Sequence, residues 1–138
     1  MKKLAATLVV LAALAGGARY AGVGLAPVDD TALDRAIAEQ ARDVQVEGEG
    51  TVIRVLADDE DGSRHQRFVV RLATGTTLLI AHNIDLAPRV APLDEGDVVS
   101  FNGEYVWNDK GGVVHWTHHD PAGRHPAGWI RREGQVFQ

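Results

Sequence analysis

Cysteine is absent from the chain. That excludes disulfides, thiolate metal ligation, a cysteine nucleophile and a lipid anchor attached through cysteine. Serine is almost as scarce: Ser63 and Ser100 are the only two. Neither stands in a Gly-x-Ser-x-Gly turn, so the common serine-hydrolase elbow is missing. There is no glycine-rich phosphate cradle of either common type. Positive charge is short as well. The net charge is −5, and without Lys2, Lys3 and Arg19 the chain holds 11 basic against 19 acidic residues. An acidic surface is a poor footprint for nucleic acid, whose affinity rests largely on cations facing phosphates.

What remains is ordinary for a folded protein: 45% apolar and 24% charged among 138 residues. The charges are unevenly spread. Residues 29–61 hold 11 acids and 3 bases, whereas 62–138 hold 8 of each and all six histidines. Lys2 and Lys3 precede the apolar run LAATLVVLAALA (4–15), and small residues follow at Ala15, Gly16, Gly17 and Ala18. This pattern matches a secretion signal. A spanning helix needs about 20 apolar residues. The expectation is therefore a signal peptide, or an inner-membrane anchor through residues 4–18, over 1–18. A linker at 19–30 and a single domain at 31–138 follow. The protein is expected to be exported or periplasmic, with tethering to the inner membrane as the alternative.

A short helix is expected at about 31–43. Thr31 and Asp34 have capping-box spacing, and Leu33, Ile37 and Ala41 form one apolar stripe. From Val44 onward the hydrophobic period becomes two. Strands are expected at about 45–57, 65–74, 76–82, 97–107 and 112–118, with a last hairpin pairing 129–132 with 135–138. Phe68, Val70 and Leu72 should face the core and Arg67 and Arg71 the solvent. Gly48 and Gly50 suit a sharply bent first strand. This order predicts a mainly β fold, a small OB-type five-stranded barrel preceded by one short N-terminal helix. An SH3-like barrel is the runner-up.

The densest chemistry is HWTHHDPAGRH (115–125). His115, His118, His119, Asp120 and His125 are a ligand set for zinc or another divalent metal, although the spacing matches no known zinc signature. On a continuous strand His115 and His118 would point to opposite faces, so both can be ligands only if the strand ends between them. Polar surface residues packed near tryptophan are the alternative, and a catalytic histidine is a third reading. With 108–112 as a turn, Trp107 should face Val113 and Tyr105 should face His115. Tyr105, Trp107 and His115 would then share a face, with Trp116 on the other. Such an aromatic patch could stack a ligand ring or simply pack. Two further groups are candidate ligand-binding residues. Arg64, His65 and Arg67 could hold an anion or merely balance the acids before them. His82, Asn83, Asp85 and Arg89 leave the third strand and could bind a ligand or hold a loop. Trp116 completes the candidate set.

The strings HQRF (65–68), LLIAHNIDLAPR (78–89), EGDVVSFNGEY (95–105) and GGVVHWTHHDPAGRHPAGWI (111–130) resemble a bacterial envelope family called domain of unknown function 3465, over about 47–138. The resemblance implies a small exported domain of Gram-negative bacteria and carries over no activity and no binding residues. The leading functional reading is a periplasmic binding or interaction module with an unidentified ligand or envelope partner. A metal-dependent hydrolase of the phosphodiesterase or nuclease kind, built on residues 115–125, is one rival. A single-stranded nucleic-acid binder of the OB type is the other, against the weight of the charge.

Overall fold

The computed structural model describes residues 27–138. The chain enters through one helix, α1 (Thr31–Ala38). It is shorter than its apolar stripe suggests. Gln40 adopts φ 54, and Ala41 donates its N–H to Ala36 O at 2.8 Å, which closes the helix. No capping box forms. Asp30 is the N-cap without a side-chain bond, and Asp29 Oδ1 instead accepts the N–H of Thr31 at 3.1 Å. Leu33 and Ala36 are buried, while Ile37 and Ala41 pack partly against the core.

Seven strands follow: β1 (Arg42–Val55), β2 (His65–Leu72), β3 (Thr77–Asn83), β4 (Val98–Val106), β5 (Val113–His115), β6 (Trp129–Arg132) and β7 (Gln135–Phe137). Five of them close on themselves in the order β1-β2-β3-β5-β4, with β4 returning to β1. All pairs are antiparallel except β3 with β5. This is the five-stranded OB-type barrel expected from the sequence. Closure requires β1 to serve both halves. It pairs with β4 from Arg42 to Thr51 and with β2 from Gly50 to Val55. A side chain at Gly48 would overlap the Phe101 ring and Leu33, so the crowded inside of that bend admits only glycine.

The strand phase follows the alternating pattern. Phe68 and Val70 are fully buried and Leu72 nearly so, while Arg71 is exposed. On β3, Leu78 and Ile80 face the same interior. Tyr105, Phe101, Val114 and Ile130 complete the core. The β6–β7 hairpin is added outside the barrel, with β6 pairing the first half of β4 while β5 pairs the second. β5 and β6 therefore lie along the same edge of β4. The segment 116–128 leaves that edge after His115 and returns to it at Trp129.

The register of the β4–β5 hairpin corrects the expectation. Val106, not Trp107, faces Val113; Tyr105 faces Val114, and Glu104 faces His115. The turn causes this one-residue slip. Asn108 Oδ1 accepts the N–H groups of Lys110 and Gly112, and Tyr105 donates its hydroxyl to Gly111 O at 2.7 Å. Gly112 sits at φ 110 with the Tyr105 ring where a Cβ would be. Because side chains alternate, one residue of slip moves every side chain to a new neighbour. Tyr105 is fully buried rather than part of a surface patch with Trp107 and His115.

Candidate functional site

The slipped register brings Glu104 and His115 together. His115 Nε2 lies 3.2 Å from one carboxylate oxygen of Glu104, and His125 Nε2 lies 2.5 Å from the other. One carboxylate thus bridges the start of the 116–128 segment and a point near its end. His125 Nδ1 also donates to Pro126 O at 2.9 Å. Both of its partners only accept, so the bonding is complete when the ring is an imidazolium. Burial pulls the His125 pKa down, but the bond to Glu104, the bond to Pro126 and the negative charges of Glu104 and Asp120 outweigh it, and the net shift is upward. Burial likewise pushes Glu104 up, and the two histidines overcome it to leave the carboxyl below its usual value.

β5 stops because the next residue, Trp116, adopts φ 55. That left-handed conformation is uncommon for a bulky side chain and is held only by surrounding contacts. The indole is half-buried and stacks on the His125 ring, centroids 4.2 Å apart and 9° from parallel. His118 lies at 5.4 Å from the same indole, tilted by 36°. The strand does end between His115 and His118, yet the two still separate: His115 faces Glu104, while His118 turns inward beside His82, ring centroids 6.4 Å apart.

His82, Thr117 and His118 form a buried polar layer at this end of the barrel. His82 continues the inward row of Leu78 and Ile80. Its Nε2–H donates to Pro88 O at 2.9 Å, so Nδ1 is the acceptor for the Thr117 hydroxyl at 2.8 Å. Burial pushes its pKa down to about 4, and the imidazole is neutral at physiological pH. Burial also lowers His118. Its Nδ1–H donates to the neighbouring His119 O at 2.6 Å. The other nitrogen, Nε2, has no partner among the described residues.

The remaining residues singled out from sequence fall into two groups. Asp120 Oδ1 accepts the N–H of Ala122, and Oδ2 accepts those of Arg124 and His125, so this carboxylate organises its own loop. His119 is exposed. The five expected zinc ligands therefore do not converge: two face Glu104, one faces inward, one points to solvent and one caps a turn. Among the described residues no group of three or more His, Asp or Glu side chains is arranged to hold a metal.

The second group is occupied with loops. Arg64 pairs with Asp85 at 2.8 Å, and Asn83 Oδ1 accepts the N–H of Asp85. Arg89 pairs with Asp58, and Arg67 donates twice to Ala57 O. His65 donates Nδ1–H to Ser63 O. Of the two readings of 82–89, loop holding is what these contacts provide. Gln66 joins His82 in it: its buried amide donates to Val90 O and accepts from Val90 N, both at 2.9 Å. These bonds fasten the connection between β3 and β4 over the barrel end. Glu104, Thr117 and Gln66 did not stand out in the sequence. Alternation alone places Gln66 in the inward row of Phe68, and a correct hairpin register would have found Glu104.

With that geometry in place, comparison with known proteins adds one family. The family model described as "Protein of unknown function (DUF3465)" matches residues 19–138. No curated protein matches the chain.

Proposed function

The chain belongs to the DUF3465 family, and we propose that it is an exported small-barrel binding module whose ligand meets the protein at the Trp116–His118 end of the barrel. One observation carries this reading. A bulky tryptophan is held in a left-handed backbone conformation beside His118, a mostly buried histidine whose Nε2 has no partner among the described residues and is not closed off from solvent. Backbone strain is a cost to folding, and such costs cluster where a protein meets a ligand, while a ring nitrogen open to solvent is free to accept a hydrogen bond from one. The other surface candidates lack this combination, since their charged groups are already paired.

A binding module is favoured over a metal-dependent hydrolase because the 115–125 residues divide among separate tasks. It is favoured over a nucleic-acid binder because Tyr105 is buried and the balance of charge is negative. Export rests on Lys2, Lys3 and the apolar run that follows, which lie outside the described residues. Fractionation of the native host tests it: recovery mainly from the cytosol would overturn that part. For the site, amide and indole resonances of labelled protein are followed while methylguanidinium, phosphate, acetate and indole are each added. Shifts concentrated at Trp116, Thr117, His118 and His125 with any one of these support the reading. Shifts confined elsewhere, or none with any probe, would overturn it.

A further inference from the structure

The donor and acceptor inventory of this barrel end is lopsided, and it points to a ligand class. Glu104 is an acceptor-only group in its ionised form. His118 has spent its N–H on His119 O, so in the neutral ring Nε2 can only accept. His65 has spent its Nδ1–H on Ser63 O, and His115 uses Nε2–H toward Glu104, so each keeps only an acceptor when neutral. His82 has both nitrogens engaged. The one multiple donor in the cluster, His125, has both N–H groups in use. Apart from the Trp116 indole N–H, which has no hydrogen bond among the described residues, the free groups are acceptors, so a complementary ligand should bring donors. It should also be flat, because the ring that lies on the Trp116 indole, that of His125, stacks parallel to it at 4.2 Å.

His125 itself shows the contacts such a ligand would make. A planar cation lies parallel to the Trp116 ring and directs an N–H at Glu104. The carboxylate supplies charge and the indole supplies the negative face of its π system. The chain is acidic overall, which favours approach of a cation. Resting on the binding-module reading above, we propose that Glu104, Trp116 and His118 form a binding site for a planar multi-donor cation, a guanidinium or amidinium, whose place His125 holds in the free protein.

The charged and titratable groups around the pair are His115 from β5, and Asp120 and His118 from the 116–128 segment. His65 of β2 acts on His118 in turn, and His118 acts on His82 of β3. Asp120 and Glu104 favour the charged His125, so the internal cation is firmly held at acidic pH. As pH rises through the elevated pKa of His125, the ring loses its proton and competes less, whereas a guanidinium keeps its charge. Binding should tighten with pH, the reverse of what an anion bound through imidazolium would show.

The test titrates methylguanidinium against the whole protein and follows the Trp116 indole N–H resonance. The dissociation constant should fall by about tenfold from pH 6 to pH 8.5. Glu104→Gln should weaken binding by at least about tenfold at the higher pH, and His125→Ala should bind at pH 6 as tightly as wild type does at pH 8.5. If His125→Ala fails to fold, the wild-type pH profile and Glu104→Gln decide alone. Tetramethylammonium, a cation without N–H groups, should bind far more weakly; equal affinity would overturn the donor argument. Methylguanidinium binding that ignores both Glu104 and pH would overturn the assignment. Shifts at the same residues with phosphate or acetate in place of methylguanidinium would remove the ligand class and leave the site standing, whereas silence from all probes removes both.

Discussion

The buried histidine at the barrel end makes a quantitative demand on stability. His82 has no solvent exposure, and its pKa lies at about 4 against an ordinary value of 6.5. Between these two values the unfolded chain binds a proton at this site and the folded chain does not. Stability must therefore fall as pH drops from 6.5 to 4, and above 6.5 the site contributes no pH dependence. At 1.36 kcal/mol per unit the full loss is about 3 kcal/mol, a large share of the stability of a domain this size. His82→Gln removes the titration while keeping one donor for Pro88 O and one acceptor for the Thr117 hydroxyl. The variant should start less stable than wild type at neutral pH because its fit is poorer. The gap should then narrow by about 3 kcal/mol as pH falls to 4, since only wild type loses stability at this position. Urea denaturation followed by tryptophan fluorescence, at constant ionic strength across this range, measures the gap directly. His118 and the Glu104–His125 pair titrate in both proteins and largely cancel in the difference. A gap that stays constant with pH would refute the reasoning, because it would mean that His82 is protonated in the fold or reached by water.

The other predictions address the core, the loops and the bridging carboxylate. Phe68→Ala should cost about 3–5 kcal/mol, against under about 1 for the exposed Arg71→Ala, in the same denaturation assay; equal losses would mean the strand phase is wrong. Gln66→Ala strips both hydrogen bonds from the buried Val90 peptide and should cost about 2–4 kcal/mol. Hydrogen exchange at Val90 N–H should accelerate with it. Gly112→Ala forces a side chain onto the Tyr105 ring at φ 110, so the hairpin must shift, and loss of the Glu104–His115 proximity in nuclear Overhauser spectra is the expected sign. Glu104→Gln should lower the pKa of His125, read from its ring carbon proton shifts. The raised pKa of His125 adds stability that is present below 6.5 and lost as pH rises through the folded value. The variant's penalty should therefore be larger near pH 6 than near pH 8.5.

Much of the architecture was legible in the sequence because short-range rules govern it. Alternation over Phe68, Val70 and Leu72 fixed the inward face of β2, since a strand has only two faces. Gly-bearing turns after Leu72 and Asn108 marked the hairpins, and Gly48 marked the bend that lets β1 close the barrel. The helix was harder. Its stripe continues in sequence to Ala41, but backbone closure after Ala38 ended it, and no local pattern announces a left-handed Gln40.

The candidate site depended on contacts the sequence does not encode locally. That histidines crowd 115–125 was plain; that Asp120 would spend its carboxylate on three backbone N–H groups, and that His118 would turn toward His82, was not. The lack of cysteine, the acidic balance and the period of two could all be read along the chain. The pairing of Glu104 with both His115 and His125 could not, because it joins residues far apart in the chain. It hangs on one residue of register in the β4–β5 hairpin, and that residue was settled by how Tyr105 and Gly112 pack in the turn. Periodicity reports which face a side chain takes, and it is blind to which residue stands opposite.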